Sequence, residues 1–317
     1  MTPEVARAIA ALVAARAPLL VVADFDGTLS PGSRDPAVAE IDPVAKRGLR
    51  RLAAIAAAHP ERVVPVVLTG RTVADVAARV RVGGIAYLGD HGLQAGWLPR
   101  GGRKSALRVT VDPAFDGHRD PAEVLAVGVA DELGSPSWLF VERKGPSVAF
   151  HVRLADDVPA ARTAVLDAIA DVEVREGLLD HGLAHYRGRS VVDLRPVAAG
   201  GKREAVERLL AQHRPGAAVV LGDELSDVDA FDAVVAARST GGVLGMTIAV
   251  HGTAGPAPAE LLARADVTLA SARDVGRFLI GLALSLVGDA AAHSPSDEHG
   301  ATRADPRSRQ TSVPSAN

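Results

Sequence analysis

Asp24 and Asp26 stand two residues apart in the run Asp24-Phe25-Asp26-Gly27-Thr28, directly after the apolar stretch 19–23. Two carboxylates on one turn, with Gly27 free to take backbone conformations closed to other residues, suit phosphoryl transfer. One acid can attack phosphorus while its neighbour protonates the leaving oxygen and later takes a proton from water. Both carry the same sign of charge as a phosphate ester. Their repulsion, several kcal/mol at contact distance, calls for a hard divalent cation such as Mg²⁺ between them. A further acid must come from elsewhere in the chain, and Asp223 is available.

Such a turn needs a strand to carry it. The run 19–23 is continuously apolar, and so are 63–68, ended by Thr69-Gly70-Arg71, and 217–221, ended by Gly222-Asp223. Runs of this kind read as strands buried on both faces. Helix-like stretches follow near 43–58, 73–80 and 226–237. The alternation predicts an α/β protein with a parallel sheet and helices on both faces, in which ligands lie at the carboxyl ends of the strands. Asp24, Thr69 and Asp223 all fall at such ends.

Between about 103 and 186 the pattern changes to a helix (121–133), two strands (138–144 and 147–154), a second helix (158–170), a strand (172–176) and a further strand pair. This reads as a separate α+β module inserted into the parallel domain. The expected division is a core of 1–102 and 196–288, an insert of 103–195 and a disordered tail of 289–317. Its hinges lie near 100–102 and 196–201, where Gly and Pro occur. Gly145-Pro146 reads as a tight hairpin turn that sets Lys144 opposite Ser147 and Glu142 opposite Ala149. Glu142, Lys144, Ser147, His151 and Arg153 then share one face of the insert, and Val148, Phe150, Val152 and Leu154 the other. The polar face either closes over the core and binds a ligand there, Lys144 and Glu142 foremost, or simply meets water.

Composition narrows the function classes. The 317 residues are 48% hydrophobic and 23% charged, which excludes disorder along the whole chain. Without cysteine there is no disulfide framework, thiolate metal site or cysteine nucleophile. A formal charge of −3 and 3% aromatic residues speak against nucleic acid and anionic membrane as partners. The first apolar run, 18–22, is too short for a signal peptide, and 278–287 is far below a membrane span and reads as a buried helix. A cytoplasmic monomer acting on a small molecule is the expectation.

Four motifs in this order resemble the haloacid dehalogenase-like (HAD) phosphohydrolases: Asp24-Phe25-Asp26-Gly27-Thr28-Leu29, Thr69 with Gly70-Arg71, Lys202 opening a helix, and Gly222-Asp223 with Asp227. Within that superfamily the run Gly222-Asp223-Glu224-Leu225-Ser226-Asp227-Val228-Asp229-Ala230-Phe231 is similar to a motif of the trehalose-6-phosphate phosphatases. Asp90-His91-Gly92-Leu93, Glu142-Arg143-Lys144, His151-Val152-Arg153 and Asp193-Leu194-Arg195-Pro196 add to the resemblance. It implies a Rossmann-like parallel-sheet HAD core with an inserted α+β cap of the C2 type. It also implies Mg²⁺-dependent hydrolysis of trehalose 6-phosphate through an aspartyl phosphate.

On that resemblance Asp24 is the nucleophile and Asp26 the general acid and then base, with its main-chain carbonyl on the metal. Asp223 completes the ligands and Asp227 supports them. Thr69 binds the transferring phosphoryl and Lys202 neutralises its charge. Gly70, Arg71, His91, Glu142, Lys144, His151, Arg153 and Asp193 are the candidates for binding the sugar phosphate. The chain departs from the pattern at Gln94, Glu224, Val228 and Asp193, where the family has Glu, Asp, Glu and Glu. Each motif also has a plainer use. Thr69 would cap the helix near 73, Lys202 would be one more solvated charge, and Asp223 and Asp227 would favour a helix dipole. Two further readings stay open: a phosphatase or phosphomutase for another sugar phosphate, and a sugar-phosphate sensor with weak turnover.

Overall fold

The computed structural model describes residues 2–33, 36–178, 180–187, 190–252 and 257–292. Thr2 caps α1 (Pro3–Ala14), which leads into β1 (Leu19–Ala23). Asp42 caps α2 (Pro43–Ala58), whose first-turn proline sacrifices no helical hydrogen bond. β2 (Val63–Leu68), α3 (Val73–Val80), β3 (Ala86–Gly89), β4 (Gln94–Trp97) and β5 (Arg108–Val111) follow. The chain then forms α4 (Arg119–Glu132), β6 (Phe140–Arg143), β7 (Val148–His151), α5 (Val158–Glu176), β8 (Leu183–Arg187) and β9 (Val191–Pro196). It continues with α6 (Lys202–His213), β10 (Ala217–Gly222), α7 (Leu225–Ser239) and β11 (Leu244–Val250). The single turn α8 (Ala259–Leu262), β12 (Val267–Leu269) and α9 (Ala272–Ala292) come last.

The larger sheet has eight strands in the order β12-β11-β10-β1-β2-β3-β4-β5, parallel from β12 to β3 and antiparallel at β4 and β5. Ala23 sits beside Leu221 on one side and Val67 on the other, so three strand ends are level. The chain fills one side of β1 with β2 and the other with β10, which opens a crevice at the carboxyl edge where the order reverses.

Alternation along each strand divides the core into two layers. Leu19, Val21 and Ala23 of β1 pack with α1, α2, α3 and α9, whereas Leu20 and Val22 pack with α6, α7 and α8. The apolar run 278–287 is buried through Phe278, Leu279, Leu282, Ala283 and Leu286. α9 lies so close to α2 that a Cβ on Gly48 would come within 2.6 Å of Leu279 Cβ. No helix among the described residues is long and apolar enough to cross a membrane.

The smaller sheet is antiparallel, β6-β7-β9-β8, with α4 and α5 on its apolar face. Its hairpin has the expected register, Glu142 opposite Ala149 and the Lys144 N–H donating to the Ser147 carbonyl at 3.1 Å. Val148, Phe150 and Val152 are fully buried against Leu125, Val165 and Ile169.

Four expectations are corrected. β5, within the stretch 103–195 assigned to the insert, pairs with β4 in the larger sheet, so the chain leaves that sheet after Val111. Residues 172–176 are not a strand but the end of α5. Val165, Ile169 and Val172 continue its helical stripe, and Gly177 terminates it in the left-handed conformation. Leu154 is exposed, because β7 ends at His151 and strand alternation ends with it. α9 reaches Ala292, past the expected start of the tail at 289, and Asp289 pairs with Arg62 at 2.7 Å. The remainder of that stretch, 293–317, lies outside the described residues.

Candidate active site

The level strand ends bring three loops together. Asp24 follows β1 and is fixed by its N–H donating to the Leu221 carbonyl at 3.0 Å. Gly27 turns the chain back with φ +81°, and a Cβ there would collide with the Asp223 carboxylate. Thr28 Oγ1 donates to Asp223 Oδ1 at 3.2 Å. Asp227, in the first turn of α7, accepts the N–H groups of Asp223 and Glu224 on Oδ2 at 3.0 and 3.1 Å. Lys202 opens α6 and is only 2% exposed. Its Nζ donates to Asp24 Oδ1 and Asp227 Oδ1, 2.8 Å from each.

Asp24, Asp223 and Asp227 each offer a carboxylate oxygen, all within 4.8 Å of one another. Burial raises the Asp24 carboxyl well above its ordinary range, with Lys202 pulling it back and Asp227 pushing it further. Asp223 is pushed up to about 9 by burial and then by the charges of Asp24 and Asp227. Burial opposes the Lys202 charge, but Asp227 and Asp24 outweigh it and hold the ammonium above its usual value. Three carboxylates facing one ammonium leave negative charge uncompensated. All three are hard oxygen donors, and the Gly27 turn keeps the space beside them clear of side chains, so the donor set fits a divalent cation.

Asp26 points its carboxylate elsewhere. Arg71 grips it with two hydrogen bonds, Nε to Oδ2 at 2.6 Å and Nη2 to Oδ1 at 2.8 Å, and reaches Asp75 Oδ2 at 2.7 Å with Nη1. Thr69 is buried, accepts the Arg71 N–H at 3.3 Å and lines the cleft, while Thr72 caps α3. The plainer uses of Thr69 and Lys202 are thereby excluded.

The smaller domain roofs this edge and leaves a cleft of about 990 Å³. Glu142, Lys144, His151 and Arg153 line it from above, and Gly70, Arg71, His91 and Asp193 also face it. Glu142 and His151 form a pair at 2.9 Å. Burial pushes the Glu142 carboxyl up, but the hydrogen bond to His151 and the charge of Lys144 outweigh it and hold the group down at about 2. Burial and the cations Arg195 and Lys144 push the His91 imidazole well below its usual range, so it is neutral.

Lys144, expected to read sugar, lines the cleft and also spans the two domains. It is buried, and its Nζ donates to the Gly70 carbonyl at 3.0 Å, to Asp193 at 3.2 Å and to Asp90 at 3.4 Å. Ser147 Oγ hydrogen-bonds the other Asp90 oxygen, and Arg153 donates to the Ser33 carbonyl at 2.7 Å. Gln94 accepts the Val73 N–H at 3.0 Å and donates to the Lys144 carbonyl at 2.9 Å. A glutamate at this position could accept the first bond but not donate the second.

Asp90, Gln94 and Arg195 are thus site residues not nominated from the sequence. Asp90-His91-Gly92-Leu93 entered only as part of the resemblance, and that Asp90 is only 1% exposed was the missing fact. Burial, against the pull of Lys144, raises its carboxyl to about 6. Arg195 stacks 3.7 Å from the Tyr186 ring centroid, and its Nε lies 3.0 Å from Asp193 Oδ2 without hydrogen-bond alignment.

Residues 22–257 match the sequence profile of a family described as trehalose-phosphatase. The chain belongs to the trehalose-phosphatase family. One relative of this family member, a trehalose-phosphate phosphatase of Mycobacterium tuberculosis (strain H37Rv), is 34% identical over 225 residues. The match covers 67% of this chain and 50% of that one, so the chain spans about half the length of the curated relatives it matches. Among solved structures, the C-terminal domain of Candida albicans trehalose-6-phosphate phosphatase superposes with a TM-score of 0.66 at 20% identity, covering 89% of this chain and 96% of that one. The C-terminal domain of a Candida albicans trehalose synthase regulatory protein superposes with a TM-score of 0.62 at 13% identity, covering 87% and 97%. At these identities the likeness is one of fold, a HAD-type Rossmann-like core carrying an inserted antiparallel cap.

Proposed function

We propose that the protein hydrolyses trehalose 6-phosphate to trehalose and inorganic phosphate through an aspartyl phosphate on Asp24. The observation that carries this reading is the Lys202 ammonium, 2.8 Å from both Asp24 and Asp227, buried behind a cleft that Asp24 and Asp223 line and a second domain roofs. The family membership and the trehalose-phosphate phosphatase relatives favour the trehalose ester over other phosphorylated sugars.

Asp24 and Asp223 would hold Mg²⁺ with the Asp26 main-chain carbonyl, and Asp227, both of whose oxygens are hydrogen-bonded, orients Lys202 and the loop. Bound there, Mg²⁺ supplies the positive charge that lets a carboxylate approach an anionic ester. Asp24 Oδ1 is held by Lys202, which leaves Oδ2 to attack phosphorus. As that bond forms, the phosphorus–sugar oxygen bond breaks and the leaving oxygen takes the proton of the Asp26 carboxyl. Asp26 then removes a proton from water. The resulting hydroxide attacks phosphorus and frees the Asp24 carboxylate and phosphate. Lys202 and Thr69 neutralise and orient the phosphoryl oxygens, and positioning of this kind supplies most of the rate in phosphoryl transfer. Arg71 must release Asp26 first, and the incoming phosphate is an alternative partner for its guanidinium.

Phosphate release over a panel of phosphorylated sugars, with Mg²⁺ and after EDTA, tests the reading. Trehalose 6-phosphate should be turned over best, and EDTA should abolish the activity until Mg²⁺ is restored. Asp24→Asn should lower turnover at least about 10⁴-fold with the fold intact. Equal turnover of every ester would overturn the substrate, and turnover retained by Asp24→Asn would remove the nucleophile. Binding with no phosphate release would leave a sensor.

A further inference from the structure

A second cavity, about 720 Å³, lies outside the cleft and shares no lining residue with it. Its volume is in the range of small-molecule sites. Apolar side chains from three segments line it, Ala53 of α2, Ala77 of α3, and Leu98 and Leu107 of the connection between β4 and β5. Around these stand Arg50, Arg81, Arg100 and Lys104, and no acidic residue lines the cavity.

Four cations at one cavity are unexpected on a chain whose formal charge is −3. No salt bridge joins Arg50, Arg81, Arg100 or Lys104 to a carboxylate among the described residues. Some surface arginines are paired, as Arg175 is with Glu132 at 2.7 Å and Arg264 with Asp232 at 2.8 Å, whereas here four cations share one cavity with no acid in its lining. Two of these charges are felt by a neighbouring group. Lys46, one turn before Arg50 on α2, is held below its usual value by burial and then by the charges of Arg50 and Arg81, against a smaller opposing pull from Glu40. A cavity lined by four cations and no acid has a positive field that favours a bound anion.

The cavity's position separates it from the phosphatase chemistry. α3 starts at the cleft, where Arg71 and Asp75 meet, and ends at Arg81 in the left-handed conformation, about 12 Å along the helix axis. Gly83, also in the lining, precedes β3, so the cavity faces the amino edge of the sheet, opposite to the catalytic loops. We propose that this cavity is a second binding site for a small organic phosphate with two or more negative charges, held by Arg50, Arg81, Arg100 and Lys104 over an apolar floor. Arginine forks suit phosphate oxygens, and the floor takes the uncharged part of the ligand.

Inorganic tripolyphosphate serves as the probe, in EDTA without Mg²⁺ so that no metal in the cleft draws it there. Calorimetric titration and thermal unfolding of the full chain should show one site and a rise in Tm. Arg50→Ala/Arg100→Ala should weaken binding at least about tenfold with its own unliganded melting unchanged, whereas Lys202→Met should bind the probe as the native chain does. Should the double variant fold poorly, Lys104→Glu, an exposed loop change, should give the same weakening. The proposal is overturned by absence of probe binding, by binding lost in Lys202→Met but kept in the arginine variant, or by an equal Tm rise with sodium chloride at matched ionic strength.

Discussion

Two buried lysines in this molecule have nearly the same surroundings and different tasks. Lys202 sits between Asp24 and Asp227 at 2.8 Å from each, and Lys144 between Asp193 and Asp90 at 3.2 and 3.4 Å. The first triad comes entirely from the larger domain, from the end of β1 and the starts of α6 and α7, and has a third carboxylate, Asp223, beside it. The second takes Lys144 and Asp193 from the cap sheet and Asp90 from the core, so it exists only while the two domains are together. Burial and then the charges of Asp24 and Asp227 raise Asp223 to about 9, whereas Asp90, raised by burial but pulled down by Lys144, reaches only about 6. One triad has a donor set that fits a divalent cation. The other ties the cap to the core like a latch.

The largest effect should separate them at once. Lys202→Met leaves Asp24 and Asp227 buried without their cation, and should cost roughly 3–5 kcal/mol in chemical denaturation, with Mg²⁺ restoring part of it. It should also lower kcat about 10²–10³-fold. If Lys202→Met loses no stability, the two triads do not differ in the way their geometry implies. Lys144→Ala should cost less stability, about 1–3 kcal/mol, because opening the cap returns Asp90 and Asp193 to water. Hydrolysis of trehalose 6-phosphate should fall much further than that of a small aryl phosphate. Equal losses on both substrates would mean that the latch does not serve the sugar.

Gln94→Glu sharpens the comparison further. It removes the bond to the Lys144 carbonyl without touching either triad, and should cost about 1–3 kcal/mol at that joint. Amide hydrogen exchange in β6 and β7 should quicken while that of β1 and β10 stays the same. The smallest effect concerns pH. Glu142, held at about 2 in the folded chain against an ordinary 4.5, contributes stability that is fully present above pH 4.5 and is lost as pH falls toward 2. Urea midpoints of the native chain and Glu142→Gln should therefore converge between pH 4.5 and 2. A gap that widens on acidification would reverse the sign.

Much of the core was legible from local pattern. Continuous apolar runs at 19–23, 63–68 and 217–221 became β1, β2 and β10, because a strand with helices on both faces has no polar side to interrupt it. The same pattern misled at 172–176, where Val172 and Val174 suggested a strand although only Val172 faces the core of α5. It also failed at β5, whose residues carry little apolar signal because the strand forms the exposed edge of the larger sheet.

Residue order and type alone determined the catalytic vocabulary: paired acids after a strand, a lysine opening a helix, further acids after another strand, and a hairpin with one polar face. These are local properties, dictated by backbone conformation and by which side chains can carry charge. Tertiary structure decided what each charge faces. It turned Asp26 toward Arg71, set Lys144 between the two domains, buried Asp90 and Gln94 between domains, and gathered cations without acidic partners at the opposite edge of the sheet. The physical reason is that Coulomb interaction and desolvation depend on distance and burial, and chain spacing specifies neither for residues 50 or 180 positions apart.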